Sequence, residues 1–128
     1  MAHTIVFSPD APAPIGPYSQ AIKAGDTVYV SGQIPLDTAG QLVGDGDVAA
    51  QTHQVMRNLQ AVLKAAGLTL ADVAKTSIFV KDLGNFGLIN DIYGSYFSAD
   101  YAPARETVEV ARLPKDVQVE ISCIAIQL

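Results

Sequence analysis

Apolar and polar residues alternate in three separate stretches of the chain, and side chains two apart on a strand share a face. In 27–34, Val28, Val30 and Ile34 oppose Thr27, Tyr29, Ser31 and Gln33; in 105–111, Val108 and Val110 oppose Arg105, Thr107 and Glu109. In 117–125, Val117, Val119, Ile121, Cys123 and Ala125 oppose Gln118, Glu120 and Ser122. Two further strands are predicted at 18–24 and 74–82, and Gly25-Asp26 between the first two strands is a hairpin signal. Helical spacing takes over in 47–67, where Val48, Thr52, Val55, Leu59, Val62, Leu63 and Ala66 form one stripe between a capping Asp47 and a terminating Gly67. A second helix is predicted over 85–97 despite Gly87 and Gly94, which each weaken it by about 0.5–1 kcal/mol relative to alanine, so packing must hold it. SPDAPAPIGP (8–17) carries four of the seven prolines and must run extended.

The resulting order, β-β-α-β-α-β-β, is an α+β layer with two helices on one side of a mixed sheet. Two helices cover only one face, so the polar faces of the strands are left open. If 105–111 and 117–128 form a hairpin about Leu113-Pro114, Glu120 lies opposite Thr107 and diagonal to Arg105, about 7–8 Å apart along the backbone. Both charges then reach one small volume. Taken by pattern alone, such a face is ordinarily solvated, and an exposed Arg–Glu pair contributes at most about 1 kcal/mol.

Composition narrows the function. At 128 residues and 13.5 kDa the chain is sized for a single domain, 1–128, and its 49% hydrophobic content is that of a globular protein. A net charge of −5 with scattered lysines argues against nucleic acid as a partner. One cysteine, Cys123, permits no internal disulfide or cysteine-based metal site, which suggests a reducing compartment. With no signal-like segment and no long apolar run, the expectation is a cytoplasmic protein without membrane partners. Asp45-Gly-Asp47 lacks the ligand series of a calcium loop, His53 has no second histidine at metal spacing, and no phosphate loop, nucleophile elbow or dinucleotide fingerprint occurs. No metal and no cofactor are expected.

Four motifs sharpen this picture. PIGPYSQA (14–21), VSGQIP (30–35), VKDL with FGLIN (80–83, 86–90) and PAR followed by VEVARLPKDVQVEI (103–105, 108–121) resemble, in order and spacing, the RidA family, also called YjgF/UK114. The resemblance covers nearly the whole chain. It implies a chorismate-mutase-like fold, a homotrimer whose sheets enclose a central barrel, and sites in the clefts between subunits. It also implies hydrolytic deamination of reactive 2-imino acids, released as enamines by pyridoxal-phosphate enzymes, to 2-oxo acids and ammonia. Other descriptions of the family, as endoribonuclease, translation inhibitor, ligand-binding or chaperone-like protein, are the alternatives.

Carried onto this chain, the resemblance makes Arg105 the carboxylate anchor, since guanidinium clamps a planar carboxylate bidentately. It makes Glu120 the group that orients the attacking water. Tyr18 and Ser31 supply hydroxyls, Gly32 admits the substrate close to the backbone, and Asn90 and Thr107 line the cleft. Departures occur beside the anchor. Many relatives have a small residue and then cysteine after the arginine, where this chain has Glu106-Thr107, and Ala102 replaces a frequent aromatic. Glu106 is thereby expected to add negative charge near the anchor.

Overall fold

The computed structural model describes residues 3–127. Among the described residues, six strands and two α-helices are joined with three 3-10 turns: β1 (His3–Val6), β2 (Ala21–Ala24), β3 (Thr27–Gln33), α1 (Val48–Ala65), β4 (Val73–Val80), α2 (Phe86–Gly94), β5 (Ala104–Glu109) and β6 (Val119–Ile126). The strands form one six-stranded sheet in the order β1-β2-β3-β6-β4-β5. All neighbours are antiparallel except β4 and β5, which run parallel, so the sheet is mixed as expected. Strand β1 was not anticipated; it is a short edge strand with little alternation to betray it.

The expected hairpin between the last two strands does not form. β4 lies between them, pairing with β5 on one side and β6 on the other. The reason is topological: β4 and β5 are joined through α2, a crossover long enough to return the chain parallel. The centre of the sheet then goes to β6, whose alternation is strict, with Val119, Ile121, Cys123 and Ala125 all buried.

α1 begins where predicted. The Asp47 carboxylate accepts from the Ala50 amide at 3.1 Å, occupying one of the orphan donors of the first turn. It ends at Gly67, whose φ of +78° lets the Leu68 amide reach back to the Leu63 carbonyl at 2.9 Å. Val55, Met56, Leu59, Val62 and Leu63 are fully buried against the sheet and against Ile89 and Tyr93 of α2. At roughly 1.5–3 kcal/mol for each large apolar side chain removed from water, this interface dominates the stability of the layer.

Alternation fails at one place. Val30 pairs with Cys123 but Gln33 pairs with Ile121, so β3 spends one extra residue between them, a β-bulge at Ser31-Gly32. A one-residue slip moves every later side chain to the other face. Gln33 is therefore buried, while Ile34 turns to the open side, the reverse of the sequence expectation.

The second face of the sheet is covered by no described element. Ile5, Ile22, Tyr29 and Ile124 pair across four strands into one apolar row, with Ile5 70% and Tyr29 51% exposed. Glu120, Phe79 and Val108 form a second row, and Ser122, Ser77 and Glu106 a third.

Candidate active site

The bulge builds one half of the site. It lifts Ser31-Gly32 away from regular pairing and lets the Glu120 side chain of β6 lie directly over Gly32. A Cβ at position 32 would stand 2.5 Å from Glu120 Oε2 and 2.8 Å from its Cδ, so a side chain there would push the carboxylate from this position. The space expected to admit substrate at Gly32 is thus taken by Glu120 itself. Ile15, Tyr18, Ser31, Gly32, Ile34, Pro114 and Glu120 together line a pocket of about 370 Å³.

Burial pushes the Glu120 carboxyl above the usual carboxylate range, and no neighbouring charge offsets it. Ser31 Oγ donates to the Ser19 carbonyl at 2.6 Å, which leaves its lone pairs but not its proton for a ligand. Tyr18 is half exposed at the mouth, its hydroxyl accepting from the Ile15 amide at 3.4 Å. The loop carrying Tyr18 is tied down by Gln20, a buried amide that sequence reasoning did not single out. Gln20 Oε1 accepts from the Ser8 amide at 2.6 Å, and its Nε2 donates to the carbonyls of Ser8, Ala11 and Pro12 at 3.1, 3.4 and 2.9 Å.

The other half stands elsewhere. Arg105 pairs with Thr76 across the β5–β4 ladder, and Thr76 points into the helix-covered core. Arg105 and Thr107 therefore belong to the helix side at the sheet edge, whereas Glu120 belongs to the open side. The expectation that both charges share one face within a chain is corrected: β4 separates the two strands, and the faces differ. Arg105 is exposed but not loose. Its Nη1 donates to Asn90 Oδ1 at 2.6 Å, and its guanidinium carbon lies 5.4 Å from the Phe86 ring and 5.2 Å from the Tyr93 ring. The Asn90 side-chain oxygen is thereby engaged with Arg105. Thr107 Oγ1 is buried without a hydrogen-bond partner among the described residues.

Glu106 also departs from expectation. It faces the open side, away from Arg105, where Ser77 Oγ donates to it and Lys75 Nζ lies 3.1 Å away. These two neighbours, the Ser77 hydroxyl first, hold its carboxyl below the usual range, and Lys75 offsets the charge that was expected to bear on Arg105.

Phe86, Tyr93, Ile15, Ile34 and Pro114 were not anticipated in the site. The spacing of Phe86 and Asn90 on one helical face was the available signal. Ile34 was hidden by the bulge, which periodicity cannot reveal. Among the described residues no group of three or more His, Cys, Asp or Glu is placed to hold a metal ion, and no helix is long and apolar enough to cross a membrane.

The α+β layer thus carries a desolvated carboxylate in a pocket on one face and a caged arginine on the other. The family described as Endoribonuclease L-PSP matches residues 8–127, and the chain belongs to it; this is the RidA (YjgF/UK114) family of the sequence motifs. A RutC family protein of Sulfurisphaera tokodaii is 52% identical over 119 residues, 93% of this chain and 94% of the relative. The 2-iminobutanoate/2-iminopropanoate deaminase of Escherichia coli K12 is 46% identical over 129 residues, 99% of each chain. The crystal structure of the E. coli YjgF gene product superposes with a TM-score of 0.91 at 44% identity, covering 98% of this chain and 99% of that one.

Proposed function

We propose that the protein is a 2-iminobutanoate/2-iminopropanoate deaminase, acting in a homotrimer whose open sheet faces close around a central barrel. The observation that carries this reading is the Glu120 carboxylate, desolvated, without a hydrogen-bond partner among the described residues and held over Gly32 in a pocket. The name of the E. coli relative, 46% identical, supports the substrate class. The uncovered row of Ile5, Ile22, Tyr29 and Ile124 supports the assembly, because an apolar sheet face is buried in a stable protein.

In this arrangement Arg105 of one subunit faces the Glu120 pocket of its neighbour. The guanidinium keeps donors free after bonding Asn90 and clamps the carboxylate of R–C(=NH)–COO⁻. Glu120 accepts a proton from water as oxygen adds to the imine carbon and passes it to the imine nitrogen, giving a carbinolamine, R–C(OH)(NH2)–COO⁻. It then takes the proton of the new hydroxyl and delivers it to nitrogen as the C–N bond breaks, releasing ammonia and the 2-oxo acid. Tyr18 and the lone pairs of Ser31 hold the imine nitrogen and its proton. The ordinary glutamate range lies well below neutrality, and the upward shift brings the carboxylate closer to the basicity that proton shuttling needs.

Threonine dehydratase turning over threonine or serine supplies the substrate in a coupled assay. The protein should accelerate 2-oxo acid release, and neither Arg105→Ala nor Glu120→Gln alone should do so. Co-expressing the two variants in equal amounts tests the shared cleft: random assembly of a closed ring leaves about one quarter of the clefts with both groups intact. Recovery of about that fraction of parental activity is expected. No acceleration by the parent refutes the activity; an inactive mixture refutes the placement between subunits.

A further inference from the structure

We propose that Tyr93, locked by the Thr76 hydroxyl, is the positioning residue that fixes where the Arg105 guanidinium meets its carboxylate ligand. This rests on the reading of Arg105 as the anchor. Arg105 is a long, exposed side chain on an edge strand, and nothing in its own strand holds its tip. Three neighbours do so, all from α2: Asn90 by a hydrogen bond, Phe86 and Tyr93 by their rings.

They are not equivalent. Phe86 opens α2 and is half-buried, and Asn90 is likewise half-buried. Tyr93 is 4% exposed, and its hydroxyl bonds the Thr76 hydroxyl at 2.8 Å. Thr76 is itself 1% exposed and is the β4 residue paired with Arg105 across the ladder. A closed circuit results: from the Arg105 backbone through the ladder to Thr76, through its hydroxyl to the Tyr93 ring, and back to the guanidinium.

The circuit references the anchor to the strand that carries it by bonding the α2 residue Tyr93 directly to β4. That bond matters because Gly87 and Gly94 make α2 a poor helix by propensity. The guanidinium also interacts favourably with the π face, which keeps it against the ring rather than in water. Tyr93 touches no reacting atom; it acts through Arg105.

Binding of 2-oxobutanoate, measured by calorimetry, reads the anchor without turnover, and the deaminase assay separates KM from kcat. Tyr93→Leu should weaken 2-oxobutanoate binding and raise KM about tenfold, with kcat little changed. Tyr93→Phe keeps the ring but frees it from Thr76, and Thr76→Val does the same from the other end; each should weaken binding about threefold. Glu120→Gln should do the converse, lowering kcat while binding persists.

If Arg105→Ala weakens 2-oxobutanoate binding but Tyr93→Leu does not, Tyr93 is a core residue only and the inference fails. Should Tyr93→Leu not fold, Tyr93→Phe and Thr76→Val decide it, and parental binding in both overturns the inference. If Arg105→Ala itself binds like the parent, the anchor assignment fails instead.

Discussion

Replacing Gly32 by alanine separates the chemistry of the pocket from the stability of the sheet. The backbone at Gly32 does not lie in the left-handed region, so alanine is conformationally acceptable, and a strand glycine replaced by alanine gains about 0.5–1 kcal/mol from reduced unfolded-state freedom. Against this, the new Cβ would sit 2.5 Å from Glu120 Oε2, 2.8 Å from Cδ and 3.1 Å from Cγ. Ordinary carbon contacts begin near 3.5 Å, so the carboxylate must retreat by about 1 Å. Turning a side chain about 30° off its rotamer costs about 0.5–1.5 kcal/mol, which nearly cancels the gain.

The melting temperature should therefore move by only a few degrees, within about 1 kcal/mol of the parent. Turnover should not be so forgiving, because a misplacement of that size costs on the order of 10²-fold in rate. Thermal unfolding by circular dichroism and the coupled dehydratase assay measure the two effects on the same sample. A folded Gly32→Ala variant with kcat within about threefold of the parent would show that the position of Glu120 is not what the reaction depends on.

Two further outcomes follow from the same geometry. Because burial raises the Glu120 pKa, the folded chain binds that proton more tightly than the unfolded one; its stabilising contribution is full below the ordinary glutamate range and lost as pH rises through the raised value. Activity that needs the ionised carboxylate should rise across that same window, so kcat/KM and melting temperature should move in opposite directions with pH, and Glu120→Gln should flatten both trends. Gln20→Ala should cost about 2–4 kcal/mol by leaving the Ser8 amide and the Pro12 carbonyl without their buried partner, and limited proteolysis should then cut within residues 8–17 faster than in the parent.

The parts of the fold that periodicity exposes were legible. The stripe of α1 with its Asp47 cap and Gly67 stop, and the buried side of β6, stand where the pattern puts them, because each is decided by local spacing alone. Strand neighbours are not so decided. β5 lies next to β4 rather than β6, a choice made by the α2 crossover, and that choice moved Arg105 to the opposite face from Glu120. The candidate site residues were named through their motifs, and the surroundings the structure gives them were not foreseen: the aromatic cage of Arg105 depends on which face of α2 meets β4. Likewise the alternation through 27–34 hid the exchange of Gln33 and Ile34, since one extra residue in β3 leaves no periodic trace.

That extra residue makes the length of β3 matter more than the identity of its side chains. Removing one residue between Val30 and Gln33 would restore even pairing with Gln33 still opposite Ile121, so the core would keep its side chains while the distortion that seats the Glu120 carboxylate over Gly32 would be lost. A point substitution away from Gly32 leaves that distortion in place. A single deletion in this stretch should accordingly spare the fold and abolish the pocket, which a deletion scan through 29–35 would read directly.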